Sequence, residues 1–305
     1  MRVVGIGQCS WDYLATVDSF PASDTKAEVG NWQEQGGGPV ATALVTLARL
    51  GIPCNFHGVV GNDPEGEKII QSLHGEGIGI SGLVRREQAV SQKAFIAIEK
   101  HSAKRTIFWQ RPSGTPLLPD ELPESAFDDC CFLLLDGLMP EVSLIAAEKA
   151  RGSGIPVMLD AGKVRPGMLE IAGLCDYLVA SEQFARDLGW NDNPASFQRQ
   201  AMSLGAPVVT ITLGAQGSIT YQDGEMIITP AFQVEALDST GAGDVFHGAY
   251  IFGLLRGLDL ADTIRFASAV SAMKCRRIGG RAGIPNRTEA LRFLSERGIV
   301  LSLQD

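Results

Sequence analysis

Four apolar runs recur through the middle of the chain: CFLLLDG (131–137), PVMLDAG (156–162), DYLVAS (176–181) and PVVTITLG (207–214). A strand that is apolar at successive positions has two faces to bury, which requires helices on both sides of a parallel sheet. The segments between and around the runs supply them, reading as helices over 140–151, 165–173, 182–188 and 195–205. GSITYQDGEMIIT (217–229) adds a hairpin with Asp223-Gly224 at a two-residue turn. The N-terminal third contributes the strands RVVGIG and IPCNFHGVVG. It also carries a helix over 41–50 closed by Gly51 and a helix that Asp63-Pro64 caps. FQVEAL (232–237) reads as one more strand, and the chain beyond 240 is mostly helical. The expected fold class is α/β, a three-layer α/β/α core.

Two segments do not fit the core. Between Asp12 and Gly36 there is no good helix, and KAFIAIEK (93–100) with KRTIFW (104–109) reads as a hairpin. Segments 12–35 and 91–112 are therefore expected to form a small β-sheet lid on a single domain spanning 1–305. Such a flap covers a ligand or forms a dimer interface.

Charge and composition exclude several functions. Acidic residues exceed basic ones by 35 − 26 = 9, which argues against nucleic acid or anionic lipid as a partner. No apolar run approaches the roughly 18–20 residues of a membrane span. The start of the chain meets Asp12 before any signal-peptide core. Six scattered cysteines and four histidines show no metal-ligand spacing, so no metal-ligating residue is assigned. Dispersed cysteines of this kind suit a reducing, cytoplasmic setting.

Glycine, at 35 residues, is in excess and clustered. The strongest cluster is DSTGAGDVFHGAY (238–250), where Gly241 and Gly243 let successive N–H groups converge at a helix N-terminus. Orphan amides and the positive end of a helix dipole bind an oxyanion or a phosphate. Asp244 in the first turn would then stand beside that anion, placed to take the proton of an attacking hydroxyl. A tight turn with Asp244 as a capping residue accounts for the spacing equally well. QGGGPVATALVTLARLG (35–51) lets backbone approach a ligand closely, and Gly214 and Gly217 bracket a turn in TLGAQGS at a strand's carboxyl end, where α/β sheets bind ligands. RIGGRAGIP (277–285) follows a long helix and, with Arg276, brings three arginines, at least one of which serves the helix dipole. The GxG at Gly5–Gly7 lacks the third glycine of a dinucleotide fingerprint, and no P-loop, nucleophile elbow or HExxH is present.

In order and spacing, the GGG block, GVVGNDPEG (58–66), TLGAQG and DSTGAGDVFHGA resemble the ribokinase-like PfkB carbohydrate kinases over nearly the whole chain. GGGP-x-ATA and GGRAGIP further resemble the sulfofructose kinase branch. The resemblance implies a ribokinase-like core with a β lid that commonly mediates homodimerisation, ATP and Mg²⁺ as cosubstrates, and potassium as an activating ion. It implies that Asp244 is the catalytic base and that Gly241, Ala242 and Gly243 form the anion hole. Asp12, Lys26, Gly36, Gly37, Gly38, Gln110 and Arg111 then match the sugar side, and Thr212, Gly214, Gly217 and Gly280 the nucleotide side. The chain departs from the family pattern at several points. Ala41 stands where ribokinases have Asn, Ser181 and Phe184 replace the Asn-x-x-Glu pair, and Leu138 replaces an Arg expected in the sulfofructose kinase branch. Gln110 replaces an Asn there. The leading expectation is an ATP-dependent kinase acting on a primary hydroxyl of a small ketose, fructose-like or sulfofructose-like. The alternatives are a nucleoside kinase of the same fold, a non-catalytic sugar or nucleotide sensor and, on the weak GxG alone, a nucleotide-dependent oxidoreductase.

Overall fold

A computed structural model describes residues 1–304. The apolar runs become the centre of a nine-stranded sheet. Its strands are β1 (Arg2–Ile6), β4 (Cys54–Gly61), β5 (Gly79–Arg86), β8 (Cys130–Leu135), β9 (Val157–Ala161), β10 (Tyr177–Ser181), β11 (Val208–Thr212), β12 (Ser218–Gln222) and β13 (Glu225–Thr229). The order across the sheet is β13-β12-β11-β10-β9-β8-β1-β4-β5. Every pair from β11 to β5 is parallel, and only the pairs β11–β12 and β12–β13 are antiparallel.

Successive side chains of one strand enter opposite cores, as the pleat demands. Phe132 and Leu134 of β8 pack into one layer, Leu133 and Leu135 into the other. The first layer is built by α1 (Pro39–Arg49), α2 (Pro64–Gly75), α7 (Ala242–Leu255), α8 (Leu260–Lys274) and α9 (Arg287–Ser295). The second holds α3 (Pro140–Gly152), α4 (Met168–Ala172), α5 (Glu182–Asp187) and α6 (Pro194–Met202). Helix α7 is buried from Val245 to Gly253, wedged between α1 and α8, so its N-terminus is held by packing on both sides. Among the described residues no helix is long and apolar enough to cross a membrane.

A second sheet is formed by β2 (Ser10–Val17), β3 (Gly30–Gly37), β6 (Lys93–Glu99) and β7 (Arg105–Gln110), in the order β3-β2-β6-β7. The hairpin read from the sequence is β6–β7. Its own apolar cluster is small: Leu14, Ala94, Ile96 and Ile98, with Ile278 against them. β2 and β3 are not individually evident in the sequence: β2 (SWDYLATV) has no regular alternation, and β3 (GNWQEQGG) is polar and glycine-rich apart from Trp32.

The structure corrects three local readings. Residues 232–237 form no strand, because Leu237 and Asp238 donate their N–H groups to the Cys275 carbonyl instead of to a sheet edge. Strand β5, broken by glycines and charged residues, was not expected. Helix α4 is shorter than 165–173, because Pro166 and Gly167 (φ 80°) delay its start to Met168. A test of the layer that fixes α7 is Phe252→Ala, since Phe252 is fully buried and stacked on Phe266 at 5.0 Å. It should lower unfolding free energy by about 3–5 kcal/mol in a urea titration.

Candidate active site

The carboxyl ends of the parallel strands converge on one region, as they do in open α/β sheets that bind ligands. Gly241 caps α7 in the left-handed region (φ 72°), a conformation that costs glycine little, and the helix begins at Ala242. Its first-turn amides therefore face outward from a buried helix, at the positive end of the dipole. Ala242 and Gly243 share a cleft of about 260 Å³ with Thr212, Gly214 and Gly217 from the end of β11. The two glycine turns that the sequence suggested separately are one site. Gly280 is not in that cleft. It packs under the turn instead, where a Cβ on Gly241 would lie 3.0 Å from the Gly280 Cα.

Asp244 sits in the first turn of α7 and is half-buried. Burial drives its carboxyl up to about 7, with Asp160 at the end of β9 and Asp12 adding to the rise and His247 and Arg105 opposing it. His247, one turn along the helix, is fixed by three acceptors. Its Nδ1 lies 2.6 Å from the Gly243 carbonyl, and its Nε2 lies 3.1 Å from the Val179 carbonyl and 3.4 Å from Asp160 Oδ1. A carboxylate poised near neutrality suits a general base.

Asp12 on β2 is buried, and its Oδ1 accepts a hydrogen bond from Ser10 Oγ at 2.8 Å. Burial raises its pKa, with Ser10 and Arg281 pulling down. The glycine segment runs alongside. Side chains at Gly36 and Gly37 would collide with the Arg281 guanidinium and the Asp12 carboxylate, and one at Gly38 (φ 93°) with the Cys9 backbone. Arg281 is buried and braces this segment: Nη2 donates to the Gly37 carbonyl at 2.9 Å, Nε to Thr42 and Nη1 to Ser72. Burial lowers its pKa to about 10, and Asp12 is the chief group resisting that. Arg276 and Arg277, by contrast, are exposed.

A larger cavity of about 680 Å³ opens between the sheets, lined by Gln8, Pro39, Trp109, Arg111, Leu138 and Arg165 among others. Arg111 lies over the Trp109 ring at 4.9 Å. Beneath the cavity, Asp136 accepts hydrogen bonds from the N–H groups of Gln8 (2.7 Å) and Leu138 (3.0 Å). Burial raises its carboxyl to about 7 against those two bonds, and Asp160 adds to the rise. Gln110 is exposed on β7 opposite Lys93, beside this cavity and not in its lining. Lys26 lies on the exposed segment between β2 and β3, also outside the lining. Ser181 is occupied as the cap of α5, where its Oγ accepts from the Phe184 N–H, and Glu182 pairs with Arg186 in solvent.

Sequence reasoning missed four contributors. Arg105 of β7 donates to Ser239 Oγ at 2.5 Å, joining the second sheet to the turn before α7. Arg165 arrives from the loop after β9, and Asp160 and His247 were read only as strand and motif residues. The signals were present in DAGKVRPG and in the His within GAGDVFHGA, yet nothing linear connects them.

Known proteins place this geometry. The family described as pfkB family carbohydrate kinase matches residues 1–287. The ribokinase of Haemophilus influenzae is 29% identical over 298 residues, covering 95% of this chain and 97% of its own. A nucleoside kinase of Methanothermobacter thermautotrophicus is 27% identical over 304 residues, covering 97% and 96%. The crystal structure of a putative ribokinase from Agrobacterium tumefaciens superposes with a TM-score of 0.86 at 25% identity, covering 97% of this chain and 98% of that one. With a family match over that span, on this ribokinase fold, the chain belongs to the pfkB family of carbohydrate kinases, phosphotransferases whose acceptor is an alcohol.

Proposed function

We propose that the protein transfers the γ-phosphoryl group of Mg·ATP to a primary hydroxyl of a small sugar, with a ketose as the preferred class. The observation that carries this reading is the cleft that unites the β11 turn with Ala242 and Gly243, one residue from Asp244. The triphosphate would lie along Thr212, Gly214 and Gly217, magnesium arriving with it as part of the substrate. First-turn amides at Gly241, Ala242 and Gly243 would stabilise charge on the transferring group. The sugar would occupy the larger cavity between the sheets, with Asp12 and the Gly36–Gly38 segment along its flank. Asp244 would accept the hydroxyl proton. Asp12, the Gly36–Gly38 segment, Gly241 and Asp244 border the two cavities without lining them. Lys26 and Gln110 are exposed outside the lining and Gly280 packs beneath the turn, so these last three hold weaker places in the proposal.

The second sheet supports a lid function, because Arg105 bridges it to Ser239 above the cleft. Its exposed aromatic residues Trp32 (60% exposed) and Phe108, with Phe20 just past β2, stack together through Phe95 on one face and support a homodimer through that face. All six cysteines are free thiols, which suits a cytoplasmic setting. Dependence on potassium rests on the resemblance alone. A nucleoside acceptor is the second reading, favoured by Trp109 in the cavity lining, an aromatic surface for a base.

Asp244→Asn should retain Mg·ADP binding while kcat falls about 100- to 10,000-fold. Wild-type kcat/KM should fall as pH drops below about 7, where Asp244 takes up a proton. The same burial makes ionised Asp244 a liability for the fold. A carboxyl whose pKa is raised on folding contributes stability below its unfolded value, and that contribution is lost as pH rises through the folded value. Asp244→Asn should therefore melt above wild type at pH 8 and lose that advantage near pH 4. Turnover within a few-fold of wild type would remove Asp244 from its role.

The acceptor is identified by ADP release with Mg·ATP across fructose, sulfofructose, ribose, deoxyketogluconate and adenosine. Turnover is expected with a ketose. Turnover with adenosine alone would establish the nucleoside reading. Binding without turnover on any acceptor would make the protein a sensor.

A further inference from the structure

Lys274, the last residue of α8, is 0% exposed, among the largest side chains that the fold buries completely. An ammonium group in such a place is costly unless the fold uses it. Its Nζ donates to the Asp238 carbonyl oxygen at 2.8 Å. Every other polar group of Asp238 is engaged as well. Oδ1 accepts from the Thr240 N–H at 2.8 Å and from Thr240 Oγ1 at 2.7 Å, and Oδ2 accepts from the Gly279 N–H at 2.7 Å. The Asp238 N–H donates to the Cys275 carbonyl at 3.2 Å. Asp238 is thus pinned from both sides of the chain, three residues before the glycine that caps α7.

The charges around Lys274 are few. Burial pulls its pKa down, Asp238, Cys275 and Asp244 resist, and Arg105 adds to the fall. The ammonium therefore lies within the electrostatic reach of both the turn's carboxylate and the base. A Cβ on Gly283 would come within 3.0 Å of the Lys274 backbone, so the returning chain closes over it.

We propose that Lys274 is a positioning residue for phosphoryl transfer: its ammonium group acts as a covalently attached monovalent cation that locks the Asp238–Gly241 turn in the geometry that presents the anion-hole amides. The proposal rests on the kinase reading above. It implies that the wild-type protein needs no added alkali cation at this turn, and that removing the side chain creates such a need.

The test is calorimetric binding of Mg·ADP and Mg·AMP-PNP in potassium, ammonium and tetramethylammonium buffers, on wild type, Lys274→Ala and Lys274→Met. Wild type should bind both nucleotides within about twofold in all three buffers. Lys274→Ala, which leaves space where the ammonium stood, should bind Mg·AMP-PNP about tenfold more weakly in tetramethylammonium, with recovery in potassium or ammonium. Lys274→Met, which fills that space with apolar atoms, should stay weak in all three. Three results would overturn the proposal: wild-type binding gained more than about fivefold from potassium, Lys274→Ala binding like wild type in tetramethylammonium, or Lys274→Ala equally weak in every buffer. If neither variant folds, the wild-type comparison decides alone. Absence of Mg·ADP binding by wild type is a distinct result, since it overturns the kinase reading itself.

Discussion

Asp244 holds a half-buried carboxyl group in the first turn of α7, next to the backbone amides of Ala242 and Gly243, and the surrounding architecture keeps it there. The helix that carries it is buried along its length between α1 and α8, so the first turn cannot drift. Burial is the largest influence raising its pKa. His247 and Arg105 moderate that, while Asp160 and Asp12 act in the other direction, and the balance lies at about 7. A carboxyl at that level is ionised for part of the population near neutral pH and still has affinity for a proton, as the proposed base requires. The cost is a fold that becomes less stable as pH rises through neutrality.

The turn that leads into α7 is held by several independent anchors. Asp238 ties it to Gly279, to Cys275 and, through its carbonyl, to Lys274. Gly241 lies on Gly280, and Arg105 reaches Ser239 from the second sheet. Arg281 plays the corresponding part beside Asp12 and the Gly36–Gly38 segment, joining α1, α2 and β3 through one buried guanidinium. Preorganisation of this sort is what electrostatic catalysis needs, because donors that are already aimed do not reorganise during reaction.

Much of the fold was legible because its determinants are local. Buried parallel strands announce themselves as unbroken Val/Leu/Ile runs, and Asp63 and Asp223-Gly224 mark a helix start and a hairpin by short-range chemistry. The polar strands β2, β3 and β5 were not legible, since their partners decide their conformation and their own pattern is mixed. The same division holds in the site. The GAGD and TLGAQG turns carry their signal in adjacent glycines. Arg105, Asp160, Arg165 and Lys274 act through contacts with residues far along the chain, and a lysine that ends a helix looks like an ordinary dipole partner until its burial is seen. Gly280, which the family resemblance assigns to the nucleotide side, packs beneath Gly241, a contact that its place in a glycine-rich motif does not announce.

The central claim is that Asp244 is a half-buried base whose affinity for its proton is set by its surroundings. Carbon-13 NMR titration of the Asp244 carboxyl in the free protein tests it most directly, with Asp244→Asn used to assign the resonance. The account predicts a midpoint near 7, the value set chiefly by burial. A midpoint at the ordinary aspartate value of about 4 would contradict it, because the carboxyl would then be solvated.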